Sequence, residues 1–194
     1  MSDQPLILAS TSVYRRQLLQ RLVVGFDSHP PVCDEQPLVG ETAKLLALRL
    51  AVVKARSLAN RFGDAVIIGS DQTARCGRRL LGKPLDMNQA TEQLTFCSGR
   101  QVTFHTGLAV LNARSGRIQQ AVVDTRVVFR TISEAQIQRY LAREHTLDCA
   151  GSFKAEGLGI SLFRHLGSDD PTALLGLPLI CLTSFLLTEG FTIP

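Results

Sequence analysis

The chain has 194 residues, 45% hydrophobic and 20% charged, with a net charge of +4. That length suits a single domain over residues 1–194 with a real core, and the lack of any run of five like charges speaks against an electrostatic nucleic-acid tail. Five scattered cysteines, none in Cys-x-x-Cys spacing, argue against a disulfide framework or a zinc site and suit a reducing cytoplasm, while no apolar run approaches the roughly 18 residues of a membrane span.

Residues 6–9, Leu-Ile-Leu-Ala, read as a short strand, and Ser10-Thr11-Ser12 can cap a helix that runs from Val13 to about Leu22. Residues 23–28 read as a second strand, and residues 29–40 as a turn-rich loop carrying Asp34 and Glu35. The longest helical pattern spans residues 41–61, with Leu45, Leu48, Val52, Ala55 and Ala59 on the expected apolar side. Residues 65–69 form a buried strand of β-branched residues, and the Gly69-Ser70 pair predicts a turn that delivers Asp71 and Gln72 at the strand's end.

Lys83 follows on a second turn stiffened by Pro84, and Asp86 to Gln89 has capping-box character for a helix to about Phe96. Residues 101–111 and 118–129 read as a hairpin with its tip at 113–116. Ser133 and Gln136 predict a capping box opening a helix to about Glu144, residues 149–159 are small and glycine-rich, and Pro178 opens a last helix over 179–187. Helices mixed with sequential and hairpin strands predict an α/β or α+β fold with a mixed sheet.

Four clusters could carry chemistry. Ser10 to Arg16 joins a strand to a helix through hydroxyls, and Arg15-Arg16 in a first helical turn are misplaced for the dipole unless they meet an anion. Asp34-Glu35 would matter as magnesium ligands beside Asp71, and otherwise read as surface polar residues of a turn. Lys54 would ordinarily lie on a solvated helix face; the functional reading needs it to point toward phosphates with Lys83 and Arg15. In the run from Asp148 to Gly159, Glu156 can accept two hydrogen bonds from the adjacent N1–H and N2–H₂ donors of guanine, whereas the same run also reads as a capped surface turn. The histidines lack zinc-ligand spacing and no Gly-x-Ser-x-Gly elbow is present.

Taken in order, Ser10-Thr11-Ser12-x-Tyr14-Arg15-Arg16, Asp34-Glu35, Lys54-Ala55, Gly69-Ser70-Asp71-Gln72, Gly82-Lys83-Pro84, Ser98-Gly99 and Ala150-Gly151-Ser152-Phe153 resemble the Maf family of nucleotide pyrophosphatases over nearly the whole chain. The Gly-Ser-Phe-Lys-x-Glu-Gly segment is similar to the YceF-like subgroup, which cleaves 7-methyl-GTP. The resemblance implies an α/β fold related to inosine-triphosphate pyrophosphatases, with a deep central cleft between two lobes. It implies attack by water dependent on a divalent cation (magnesium, manganese or cobalt), releasing a nucleoside monophosphate and diphosphate.

Carried onto this chain, the resemblance makes Asp71 the proton acceptor, with Asp71 and Glu35 at the metal. Ser10, Arg15, Arg16, Lys54 and Lys83 would hold phosphates, and Tyr14, Gln72 and Glu156 fall at specificity positions. Where the subgroup often has tryptophan this chain has Tyr14, whose aromatic face still attracts a cationic methylated guanine. A homodimer is also implied, while sparse aromatics and modest charge argue against nucleic-acid binding. The competing readings are dTTP, UTP or other modified nucleotides as substrates, and a non-enzymatic regulator of septum formation.

Overall fold

β1 (Leu6–Ala9) is apolar at every position because both of its faces are covered, the mark of a strand inside a parallel sheet. The computed structural model describes residues 3–23 and 25–193. Along them follow α1 (Val13–Leu19), β2 (Asp27–His29), α2 (Ala43–Ser57), β3 (Val66–Cys76), β4 (Arg79–Leu81), α3 (Met87–Cys97), β5 (Gln101–Asn112), β6 (Ile118–Phe129), α4 (Glu134–Leu141), β7 (Phe163–Ser168) and α5 (Leu179–Thr188). The strand order is β2-β1-β3-β5-β6-β7, with β4 paired to β3. β1 runs parallel to β2 and β3, whereas the β3–β4 and β6–β7 pairs are antiparallel, so the sheet is mixed as expected.

The described chain is organised as two compact units: one holds the residues up to Gln72, His105–Val123 and those from Asp170 on, and the other holds Thr73–Phe104 and Asp124–Asp169. In the first unit, Leu6, Leu8, Val66, Ile68, Leu108 and Val110 share one sheet face and pack against leucines of α1 and α5. Their neighbours Ile7, Ala9, Ile67, Ala109 and Leu111 share the opposite face with Ala51 and Ala55 of α2. Each fully buried leucine in such a layer contributes about 2 kcal/mol from burial alone. In the second unit, Phe104, Phe129, Phe153 and Phe163 meet edge to face with ring centroids 4.9 to 5.4 Å apart.

Several expectations need correction. The strand expected to end at Gly69 continues to Cys76, so Asp71 and Gln72 lie within β3 and point to opposite faces. Gly69 serves packing: a Cβ there would stand 2.1 Å from the Ala51 carbonyl oxygen, and one at Gly107 would stand 2.2 Å from that of Ala47. The two glycines let the α2 backbone lie directly on β3 and β5. The buried face of α2 is accordingly the small-residue row Ala43, Ala47, Ala51 and Ala55 with Leu46, Leu50 and Lys54, while Leu45 is exposed. β2 starts at Asp27 rather than residue 23, and Val24 lies outside the described residues. β4 and β7 are additional strands. The capping box of Ser133 and Gln136 is present, and Thr42 caps α2.

Candidate active site

Because β3 alternates, Ile67, Gly69 and Asp71 face α2. Lys54 stands on the same buried row of α2 as Ala51 and Ala55, which brings its ammonium down onto the strand. Lys54 Nζ donates to Asp71 Oδ1 at 2.6 Å and pairs with Glu35 Oε1 at 2.7 Å. The side chains of Lys54 and Asp71 are 8% and 11% exposed, whereas that of Glu35 is 59% exposed. Glu35 thus reaches in from the loop after β2, and Lys54 is buried and paired rather than on a solvated helix face.

The protonation balance follows from that geometry. Burial pushes the Asp71 carboxyl above the usual carboxylate range, and the neighbouring Lys54 and Arg15 charges only partly offset it. For Lys54 burial pulls downward, but the charge and hydrogen bond of Asp71 and the hydrogen bond of Glu35 outweigh it, leaving the ammonium above its ordinary value.

Ile68, Ser70 and Gln72 point the other way. Ser70 is fully buried, and its hydroxyl proton is shared between the carbonyls of Gly107 at 2.8 Å and Gly176 at 2.9 Å. The Gln72 amide nitrogen donates to Thr106 Oγ1 and to the carbonyls of Ala173 and Leu174, at 2.9 to 3.1 Å. Its carbonyl oxygen has no hydrogen-bond partner among the described residues. Both side chains therefore hold residues 170–178, the segment before α5. That segment also caps α5, which starts with a proline and no side-chain cap of its own: Asp170 accepts from the Ile180 amide at 2.7 Å, and Thr172 from the Leu179 amide at 2.8 Å.

Ser10 is buried directly after β1, where its hydroxyl accepts from the Ser12 amide at 3.1 Å. On α1, Tyr14 is half-buried and Arg16 exposed, while half-buried Arg15 donates its Nε–H to the Gly176 carbonyl at 2.8 Å. Burial draws the Arg15 guanidinium below its usual range, opposed by the charges of Asp71 and then Glu35. The structure so brings Arg15, Glu35, Lys54 and Asp71 into one electrostatic group. Residues 170–178 are a contribution that motif reading missed; the signal in the sequence was Asp170-Pro171 and Gly176-Leu177-Pro178 bracketing a short apolar run.

Lys83 and Glu156 belong to the second unit, and both are exposed. The Gly82 carbonyl beside Lys83 accepts from the Gly151 amide and from Gln93 Nε2, each at 3.3 Å. Ser152 Oγ donates to Gln93 Oε1 at 2.8 Å, and Gly151 and Ser152 both have left-handed φ, 81° and 65°. Gln93 therefore joins the segment carrying Lys83 to the glycine-rich segment that leads to Glu156. Beyond it, the Tyr140 hydroxyl accepts from the Lys154 amide at 3.0 Å.

Among the described residues no group of three or more His, Cys, Asp or Glu forms a metal-sized cluster. Two hard carboxylate oxygens, from Glu35 and Asp71, nevertheless converge on the single cationic centre of Lys54. A pair of carboxylates is the protein share of a site completed by substrate phosphates, so the residues fit a hard divalent cation in that role. Among the described residues no helix is long and apolar enough to cross a membrane.

The family described as Maf-like protein matches residues 5–189. A relative from Pseudomonas aeruginosa, named 7-methyl-GTP pyrophosphatase, is 52% identical over 97% of this chain and 98% of its own. Relatives of the same name from Chromobacterium violaceum and Aromatoleum aromaticum are 52% and 50% identical, covering 95% and 100% of this chain and 96% and 100% of their own. The matched span contains every residue of the Glu35–Lys54–Asp71 group together with Arg15 and the segment that holds it, and the chain belongs to the Maf family.

Proposed function

We propose that this chain is a nucleoside triphosphate pyrophosphatase that hydrolyses 7-methyl-GTP to 7-methyl-GMP and diphosphate, clearing a modified nucleotide from the cytoplasmic pool. The observation that carries it is the buried ammonium of Lys54 holding Asp71 and Glu35 beside Arg15: charges gathered at this expense in desolvation suit a polyanion. The name shared by relatives at about half identity over their full length supports the substrate.

In this reading Glu35 and Asp71 hold a divalent cation of the magnesium type. When bound, it neutralises charge that builds on the phosphates. Lys54, Lys83, Arg15, Arg16 and Ser10 bind and orient the triphosphate. Asp71 takes the proton from the attacking water. Tyr14 offers an aromatic face to the cationic base. Glu156 accepts from the guanine N1–H and N2–H₂ edge, and Gln72, whose amide nitrogen is already committed, offers its carbonyl oxygen as a further acceptor.

The test is diphosphate release from 7-methyl-GTP, GTP, dTTP and UTP, with and without magnesium. Fastest metal-dependent release from 7-methyl-GTP is expected. A preference for dTTP or UTP overturns the substrate, and no release from any triphosphate overturns the reaction. The family resemblance further implies a homodimer, which light scattering on the purified protein would read as twice the chain mass.

A further inference from the structure

Arg15 is held in an unusual way. Its Nε–H is taken by one backbone carbonyl, that of Gly176, at 2.8 Å, and its two terminal amino groups have no hydrogen bond among the described residues. A guanidinium is planar and rigid, so fixing Nε fixes the plane and aim of the remaining fork. The same carbonyl receives the proton of Ser70 at 2.9 Å, from a hydroxyl that is wholly buried and also reaches Gly107. Gly176 adopts φ 104°, in the left-handed region, and a Cβ there would stand 3.4 Å from Arg15 Nε and 3.7 Å from Arg15 Cγ. Backbone conformation and space thus both require glycine at the point where the arginine is gripped.

Residues 170–178 are themselves braced. Asp170 accepts from Thr172 and from the Ile180 amide, and the carbonyls of Ala173 and Leu174 receive Gln72. The segment also sends Leu177 into the apolar core with Leu175 packed against it, so the carbonyl that grips Arg15 sits on a firmly seated piece of chain.

We propose that Ser70 and Gly176 are positioning residues for Arg15: the Gly176 carbonyl, oriented by the Ser70 hydroxyl, aims the free end of the guanidinium at the substrate's phosphates. The inference rests on the reading above that Arg15 grips a triphosphate, and it adds that the grip is set from β3 and the segment before α5. Ser70 touches no phosphate itself and acts through the arginine.

The experiment is a double-variant cycle read by calorimetric binding of inorganic tripolyphosphate in magnesium buffer. It uses the full chain as wild type, Ser70→Ala, Arg15→Ala and the pair combined. Ser70→Ala is expected to weaken binding about five- to tenfold, the effect of one hydrogen bond to a charged partner's anchor. In the Arg15→Ala background the same change is expected to do nothing further. Equal losses in both backgrounds overturn the proposal, because a hydroxyl that merely held the segment would act whether or not Arg15 were present. Failure of the wild type to bind tripolyphosphate overturns it as well.

Gly176→Ala supplies the same cycle from the other side should Ser70→Ala not fold, again with its effect vanishing once Arg15 is removed. Hydrolysis of 7-methyl-GTP by the same wild-type sample is scored separately. An intact binding cycle without turnover sinks the proposed reaction and leaves the positioning role standing.

Discussion

Replacing Asp71 by Asn separates chemistry from architecture more cleanly than any other change in this protein. The carboxylate lies 2.6 Å from Lys54 Nζ, and the isosteric amide keeps an oxygen there, so the ammonium retains a hydrogen bond and loses only one of its two charge partners. Stripping a buried ion of its partner outright costs about 3–5 kcal/mol. With Glu35 still 2.7 Å away and the amide oxygen still accepting, we expect a loss nearer about 1–2 kcal/mol. At this chain length that is a fall in Tm of about 2–8 °C. Turnover, by contrast, loses the proton acceptor proposed above and is expected to drop by about 10²–10⁴. Diphosphate release from 7-methyl-GTP gives kcat and KM, and a thermal melt on the same sample gives stability. Wild-type-like hydrolysis by pure, folded Asp71→Asn protein would refute the assigned base. A collapse in Tm well beyond that range would instead refute the argument that Glu35 and the amide still satisfy Lys54.

Other outcomes follow from the same geometry. In the metal-free protein the Asp71 carboxyl is pushed up by burial against the opposing pull of Lys54, so an NMR titration without metal should find it above the ordinary carboxylate range. In Lys54→Met that pull is gone and Asp71 should titrate higher still, so an unshifted titration would contradict the pairing. Glu189 is held below its usual range: burial works against ionisation, but Arg117, Asn112 and Gln119 outweigh it. A depressed carboxyl contributes stability that is present at neutral pH and lost as pH falls through its folded pKa. Glu189→Gln should accordingly flatten the acid side of the stability curve in denaturant melts, and an unchanged slope would count against it. Gly69→Ala should cost about 3 kcal/mol or more, because its Cβ meets α2 backbone rather than a side chain that can move. A melt indistinguishable from wild type would disprove the close approach. Glu156→Gln should shift preference away from guanine bases; an unchanged ranking of 7-methyl-GTP, GTP, dTTP and UTP would end that assignment.

The parts of the fold legible in the sequence were those written in local chemistry. Apolar β1 and the β5–β6 hairpin, and the caps Ser12, Asp86 and Ser133, all rest on patterns within a few residues, whereas the Thr42 cap of α2 lies inside the helix the pattern started at residue 41. What stayed hidden depends on partners far along the chain. Gly69 looked like a turn because glycine usually relaxes the backbone, whereas here it clears a path for a helix that begins 26 residues earlier. The buried face of α2 was misjudged for the same reason. The expected apolar side counts Leu45, yet the helix meets Gly69 and Gly107 through its alanine row, and Leu45 is left outside. Position in a helix leaves Lys54 undecided between a solvated face and a site until the carboxylates beside it are known. β4 and β7 are short or polar strands whose pairing is set by tertiary neighbours. The hold on Arg15 comes from a backbone carbonyl 161 residues away, and a main-chain oxygen leaves no letter in a sequence.

The alternation along β3 has a consequence for what mutation can reach this gene product. Ser70 and Asp71 are consecutive codons assigned to opposite walls, one donating to the carbonyl that holds Arg15 and the other paired with Lys54. Losing or gaining one codon between Val66 and Gln72 would swap those duties wholesale and bury isoleucines' neighbours upside down. Losing two would keep the walls but shorten the reach. Tolerance in this stretch should therefore follow the parity of an indel more than its size, a pattern that a deletion scan of the gene would expose directly.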